Sequence, residues 1–145
     1  MNINREELRQ QIYKWIEIAE EDLLIAKHAF KLKSNVPYRI IGFHAQQSAE
    51  KYIKALLVSR LIDFPYTHSI EFLLKLCPAE YNLQKRLADT HVLTDYAVAK
   101  RYPSEFQKLS REEAIESVAL AEKVKSVVLE LLLKDGFDLK DLMGN

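Results

Sequence analysis

Apolar residues recur three and four positions apart along nearly the whole chain, and that spacing specifies amphipathic helices. From Leu8 the series runs Ile12, Trp15, Ala19, Leu23, Ala26 and Phe30, one stripe over about seven turns. Asn4 caps this first helix with Glu7 at its third position, and the pattern fades near Leu32. Three glycines and four prolines in 145 residues leave few interruptions. Pro37 opens a second helix that ends near Ile62, before Asp63-Phe64-Pro65. Within it Gly42, weaker than alanine by about 1 kcal/mol in a helix, signals a close helix–helix approach.

A short third helix starts at Thr67 or His68 and stops at Cys77-Pro78. A fourth runs from Leu83 to about Val98, with Leu83, Leu87, Thr90/His91, Thr94 and Ala97/Val98 inward. Periodicity then fails from Ala99 to Leu109, where Pro103 pushes Tyr102 out of the helical region. Ser110-Arg-Glu-Glu113 is a capping box for a fifth helix with Ala114, Val118, Ala121, Val124, Val128 and Leu131 inward. Gly136 closes it. The expected fold class is all-α, an antiparallel up-and-down bundle of four to five helices, three or four of them long. Residues 1–135 form the bundle, and 136–145 are a short C-terminal tail, loose or docked on a partner.

The length suits one domain, and 48% apolar residues suffice for one core. With 21 basic and 21 acidic side chains the net charge is zero, which argues against bulk attraction to nucleic acid but leaves room for a local patch. Cys77 is the single cysteine, so no intrachain disulfide forms, and a reducing compartment is expected. The charged N-terminus lacks a signal region, and no apolar run nears the ~20 residues that span a bilayer, so a cytoplasmic protein is expected.

The stretch Phe43–Leu57, FHAQQSAEKYIKALL, has two faces. Phe43, Ala49, Ile53, Leu56 and Leu57 form a buried stripe, while His44, Gln47, Lys51 and Lys54 recur at the same spacing on another side. A row of imidazole, amide and two ammonium groups suits an anion or a partner subunit, and Arg60 extends it. The alternative is a solvated face on which Lys51 pairs with Glu50 or Glu71.

This stretch, followed by PYTHSIEFLL from Pro65 to Leu74 and by KRYP from Lys100 to Pro103, resembles the HEPN-domain proteins, a small prokaryotic helical family. The resemblance covers about Trp15 to Leu131. It implies a partner, a minimal nucleotidyltransferase, in a toxin–antitoxin or defence module, and an RNA or nucleotide ligand held at a homodimer cleft. It also gives meaning to Arg86 and His91 in RLADTH, because active HEPN nucleases carry an arginine, four to six residues, then a histidine. An imidazole can move the 2′-hydroxyl proton of a ribose, while a guanidinium holds the phosphate. Leu87 stands where those relatives usually have a polar residue. Five positions also rotate a helical side chain by ~140°, so the pair converges only across a groove or between subunits. An incidental pair is the other reading.

Lys100, Arg101 and Tyr102 lie where the helix pattern fails. Arg101 can grip a phosphate and Tyr102 can stack on a base, or Arg101 can pair with Asp95 and fix the loop. His68 either faces the same cleft as the His44–Lys54 row or belongs to a helix start capped by Thr67. The four histidines, including His28, sit on separate elements, and no zinc motif or phosphate loop is present. No cofactor is called for. Two function classes follow: a metal-independent endoribonuclease, or a non-catalytic nucleotide-binding or protein-interaction module.

Overall fold

A computed structural model describes residues 3–96 and 108–144. Three long helices dominate: α1 (Arg5–Ala29), α2 (Tyr38–Ser59) and α5 (Arg111–Lys134). Between them lie α3 (Ile70–Leu76), a 3₁₀ turn (Ala79–Tyr81), α4 (Leu83–Arg86) and a 3₁₀ segment (Ala88–Tyr96), and α6 (Lys140–Met143) follows. The result is an all-α bundle in which α1 runs antiparallel to α2 and α5 parallel to it, with no strand among the described residues.

α2 is the middle of the bundle. α1 packs along one side and α5 along the other, while α1 and α5 barely touch. Buried positions therefore surround α2, as expected of a helix enclosed by neighbours. α1 buries Leu8, Ile12, Ile16, Ala19, Leu23 and Ala26. Ile16, rather than Trp15, carries the stripe; Trp15 is half-buried on the flank and meets Phe64 edge-on at 5.8 Å. Asn4 accepts from the Glu7 amide at 2.8 Å. The Ser110–Glu113 capping box forms with both bonds at 3.0 Å.

Two stretches depart from the sequence reading. Beyond Arg86 the fourth helix tightens to 3₁₀ geometry, and its inward residues are Leu87, Thr90 and Leu93, three apart as that geometry requires. His91 is exposed. The expected tail packs on its own chain instead of hanging loose: Phe137 and Leu139 are buried in the main core. The Arg5 guanidinium lies 4.0 Å from the Phe137 ring centre, and Arg9 pairs with Asp141 at 2.9 Å.

Helix ends are closed by short backbone motifs. After α2, Ile62 N–H bonds Leu57 O and Leu61 N–H bonds Val58 O, with Leu61 itself left-handed at φ 57°. Gly136, at φ 92°, does the same after α5. The third helix starts from Ser69, whose hydroxyl accepts from the Phe72 amide, and Thr94 reaches the free Ile70 amide at 3.1 Å. The close helix–helix approach expected at Gly42 is instead an approach of side chains from outside the long helices: a Cβ there would lie 2.5 Å from Leu109 Cδ2 and 3.3 Å from Tyr96 Cδ2.

Candidate functional site

Because α2 is enclosed, its polar residues must find partners inside the bundle or at its seams. Many do so around two carboxylates, while among the described residues Ser48 Oγ is buried without a hydrogen-bond partner. Asp22 of α1 takes His44 Nδ1 on one oxygen at 2.8 Å and Lys51 Nζ on the other at 2.6 Å. Glu50, on α2 itself, is buried and takes Lys54 Nζ on Oε1 at 2.6 Å. Its Oε2 receives Gln46 Nε2 at 2.7 Å and His68 Nδ1 at 3.0 Å.

Burial pushes the Glu50 carboxyl pKa up, but hydrogen bonds from Lys54, His68 and Gln46 outweigh it and hold the group below its ordinary value. Glu50 is thus ionised near neutrality and can only accept. Nδ1 of His68 therefore carries a proton, and Nε2 lies 3.2 Å from the Tyr66 hydroxyl. Gln46 also donates to His68 O at 3.3 Å, and the Lys54 ammonium stands 5.4 Å from the Phe64 ring centre. The segment after α2 is drawn back onto that helix by these contacts.

The predicted row His44, Gln47, Lys51 and Lys54 is thereby brought together with His68, but as a set of internally paired groups. Gln47 completes the chain by donating to Gln46 Oε1 at 2.8 Å. An external anion would have to displace Asp22 or Glu50. Lys51 pairs with neither Glu50 nor Glu71, the partners weighed from sequence; Glu71 stands 3.7 Å from Lys75. Arg60 is likewise occupied, donating to the Tyr81 hydroxyl at 2.9 Å and facing Glu80 at 3.1 Å. The Tyr81 hydroxyl also donates to Asp135. Burial and that carboxylate push the phenol up to about 12.

Sequence reasoning missed Asp22 and, having weighed Glu50 only as a partner of Lys51, missed its pairing with Lys54. Glu50 was detectable as the i, i+4 partner of Lys54. Asp22 had no comparable signal, since its partners are 22 and 29 residues away. Cys77 is a core residue, its thiol pushed up to about 12 by burial.

Arg86 and His91 have different partners. Arg86 Nη2 is 3.6 Å from Glu130 Oε1 on α5. His91 turns toward α3, where it lines a cleft of about 310 Å³ with Glu71, Leu74, Gln84, Leu87 and Ala88. Its Nδ1 is 2.7 Å from Ala88 O, and a carbonyl can only accept, so Nδ1 holds the proton and Nε2 is left basic. Lys100, Arg101 and Tyr102 lie outside the described residues.

An enclosed central helix between two long neighbours, α1 antiparallel to it and α5 parallel, crossed by a short 3₁₀ edge, defines the class as a small helical bundle with polar groups at its seams. The profile of the HEPN domain family matches residues 12–131. A solved structure, that of TT1696 from Thermus thermophilus, is similar with a TM-score of 0.71 and 30% sequence identity, over 83% of this chain and 97% of that one. No curated protein sequence matches significantly. The chain belongs to the HEPN domain family. Among the described residues no helix is long and apolar enough to cross a membrane.

Proposed function

We propose that this HEPN-domain protein is a metal-independent endoribonuclease, the RNA-directed half of a toxin–antitoxin or defence pair with a minimal nucleotidyltransferase. The observation that carries the reading is His91: Nδ1 is spent on a backbone carbonyl, so the basic Nε2 remains available beside an open cleft. Nε2 takes the proton of a ribose 2′-hydroxyl. The 2′-oxygen attacks the adjoining phosphorus, the bond to the 5′-oxygen breaks, and that oxygen leaves with a proton from water. A 2′,3′-cyclic phosphate and a 5′-hydroxyl result.

The charge that develops on the phosphate needs a cation. Arg86 is held by one exposed carboxylate at 3.6 Å, a weak restraint, and does not line the cleft beside the His91 of its own chain. A homodimer cleft, in which Arg86 of one protomer faces the His91 of its mate, unites them. The test is incubation of the purified chain with labelled RNA in excess chelator. Cleavage that is lost in His91→Ala supports the reading, and cleavage unchanged in that variant overturns it.

A second reading, a non-catalytic nucleotide-binding or protein-interaction module, is favoured by the internal pairing of the α2 row. His44 and Lys51 on Asp22, and Lys54 on Glu50, leave no free cation in that row for a phosphate. A wild-type chain that binds RNA and never cleaves it would select this second reading.

A further inference from the structure

The outer face of α1 reverses its charge at Leu24, a side chain left 54% exposed. Before it come Glu17, Glu20 and Glu21, and after it Lys27, His28 and Lys31, all within about two turns. The surface shows the same split. A shallow groove of about 360 Å³ is lined by Leu24 and the three glutamates. A second, of about 430 Å³, is lined by Leu24, Lys27, His28, Lys31 and the Glu20–Lys125 pair.

One chain by itself leaves this face poorly matched. Glu17 and Glu21 are like charges four residues apart, as are Lys27 and Lys31, and such pairs repel on a helix. Glu20 is paired with Lys125 of α5 at 2.8 Å and Lys27 with Glu122 of α5 at 2.7 Å. Among the described residues no ion pair takes Glu17, Glu21, His28 or Lys31, and Glu17, Glu21, His28 and Lys31 are all exposed. The helix dipole does not account for the glutamates, because its effect fades within the first turn and Glu17 lies beyond the third.

A second α1 laid antiparallel on this face matches it throughout. With a two-fold axis at Leu24, each residue meets one equally far along on the other side of that point. Glu17 then faces the partner's Lys31, Glu20 the partner's His28 and Glu21 the partner's Lys27, and each pair occurs twice. The outermost pairs stand ~10.5 Å from the axis, at 1.5 Å per residue. The two Leu24 side chains cover each other where the axis passes. An unrelated partner requires no reversal about one point; a second copy does. We propose that this face of α1 is an isologous interface with a second copy of the chain, antiparallel about Leu24. It uses neither Arg86 nor His91, so it is separate from the composite cleft and independent of the ribonuclease reading.

The experiment is sedimentation of the full chain at micromolar concentration in low salt, repeated with Glu17→Lys, with Lys31→Glu, and with the two variants mixed. Either reversal sets like charges against each other in both outer pairs of its own assembly, and association should weaken at least about tenfold. The wild-type mass should halve: a pair falls to single chains, or a four-chain assembly to pairs where the composite cleft also forms. Glu17→Lys gives its own helix an attractive pair with Glu21, so its denaturation midpoint should not drop. In the mixture each reversed residue meets the other reversed residue across the axis, and the wild-type mass should return. Salt near ~1 M, where charges are screened beyond ~3 Å, should dissociate the wild type at this interface. A wild-type chain that stays single, an assembly that neither reversal weakens, or a mixture of folded variants that stays apart would each overturn the proposal. These measurements involve no RNA, so failure of this interface and failure of the nuclease reading appear in different experiments.

Discussion

Lys54 and Glu50 stand one turn apart on α2 with Nζ 2.6 Å from Oε1, and both side chains are almost sealed from solvent, at 8% and 3% exposure. A pair taken this far from water depends on each member for neutralisation. Lys54→Met removes one partner and leaves a buried carboxylate with Gln46 and His68 as its remaining donors. The expected loss is ~3–5 kcal/mol, the range for breaking a buried pair from one side. Urea denaturation would measure it. Lys51→Ala, at the less deeply buried Asp22 site, should lose clearly less, because His44 still bonds that carboxylate. Equal losses in the two variants would mean that Glu50 is far better solvated than its contacts indicate.

The same carboxyl sets an acid limit. Its folded pKa lies below the ordinary value because three donors stabilise the ionised form against burial. In the unfolded chain it titrates near ~4.3. As pH falls through that value the unfolded state takes up the proton first, so stability declines. The contribution is complete above the unfolded pKa and gone once pH has passed below the folded one. Glu50→Gln should therefore flatten the fall in stability between neutral and acid pH, whatever it does to stability at neutrality. An acid branch with unchanged slope in that variant would assign the effect to other carboxyls.

What the sequence disclosed and what it hid can be traced to particular residues. Caps with local chemistry were legible: Asn4, Ser110–Glu113 and Gly136 each act over a single helical turn. So was the core face of the long helices, because burial along one side enforces a helical period. The 3₁₀ turn of residues 88–96 was missed because Leu87, Thr90 and Leu93 fit a helical stripe almost as well over so short a span. The site was legible only in half. His44, Lys51, Lys54 and His68 stood out by residue type, but the carboxylates that organise them come largely from tertiary pairing, and pairing across 18 to 29 residues leaves no periodic trace.

Leu61 offers a test of the backbone. It occupies the left-handed position after α2, at φ 57°, while its side chain is 65% exposed. A leucine there is strained by roughly 1–2 kcal/mol, and little packing offsets it. Glycine removes the strain but enlarges the conformational freedom of the unfolded chain, which returns ~0.4–1 kcal/mol. Leu61→Gly should thus stabilise the protein by about 0.5–1 kcal/mol, seen as a higher denaturation midpoint with unchanged slope. A destabilised variant would show that the Leu61 side chain is covered in solution, by a partner or a second copy.

The proposed composite nuclease site makes its own demand on subunits. Arg86 is 3.6 Å from Glu130, and His91 lines the α3 cleft that Arg86 does not line. Under a two-fold axis, each site would draw its arginine from one protomer and its histidine from the other. Arg86→Ala and His91→Ala should then each be inactive as pure homodimers. In a mixed dimer the intact histidine of the first variant meets the intact arginine of the second, and one site of two is whole. Random mixing makes half the dimers hybrid, so activity should return to about a quarter of wild type. The measurement is RNA cleavage after the two variants are unfolded together and refolded, with each refolded alone as control. No recovery from properly folded hybrids would place both groups in a single chain's site or remove one of them from the chemistry.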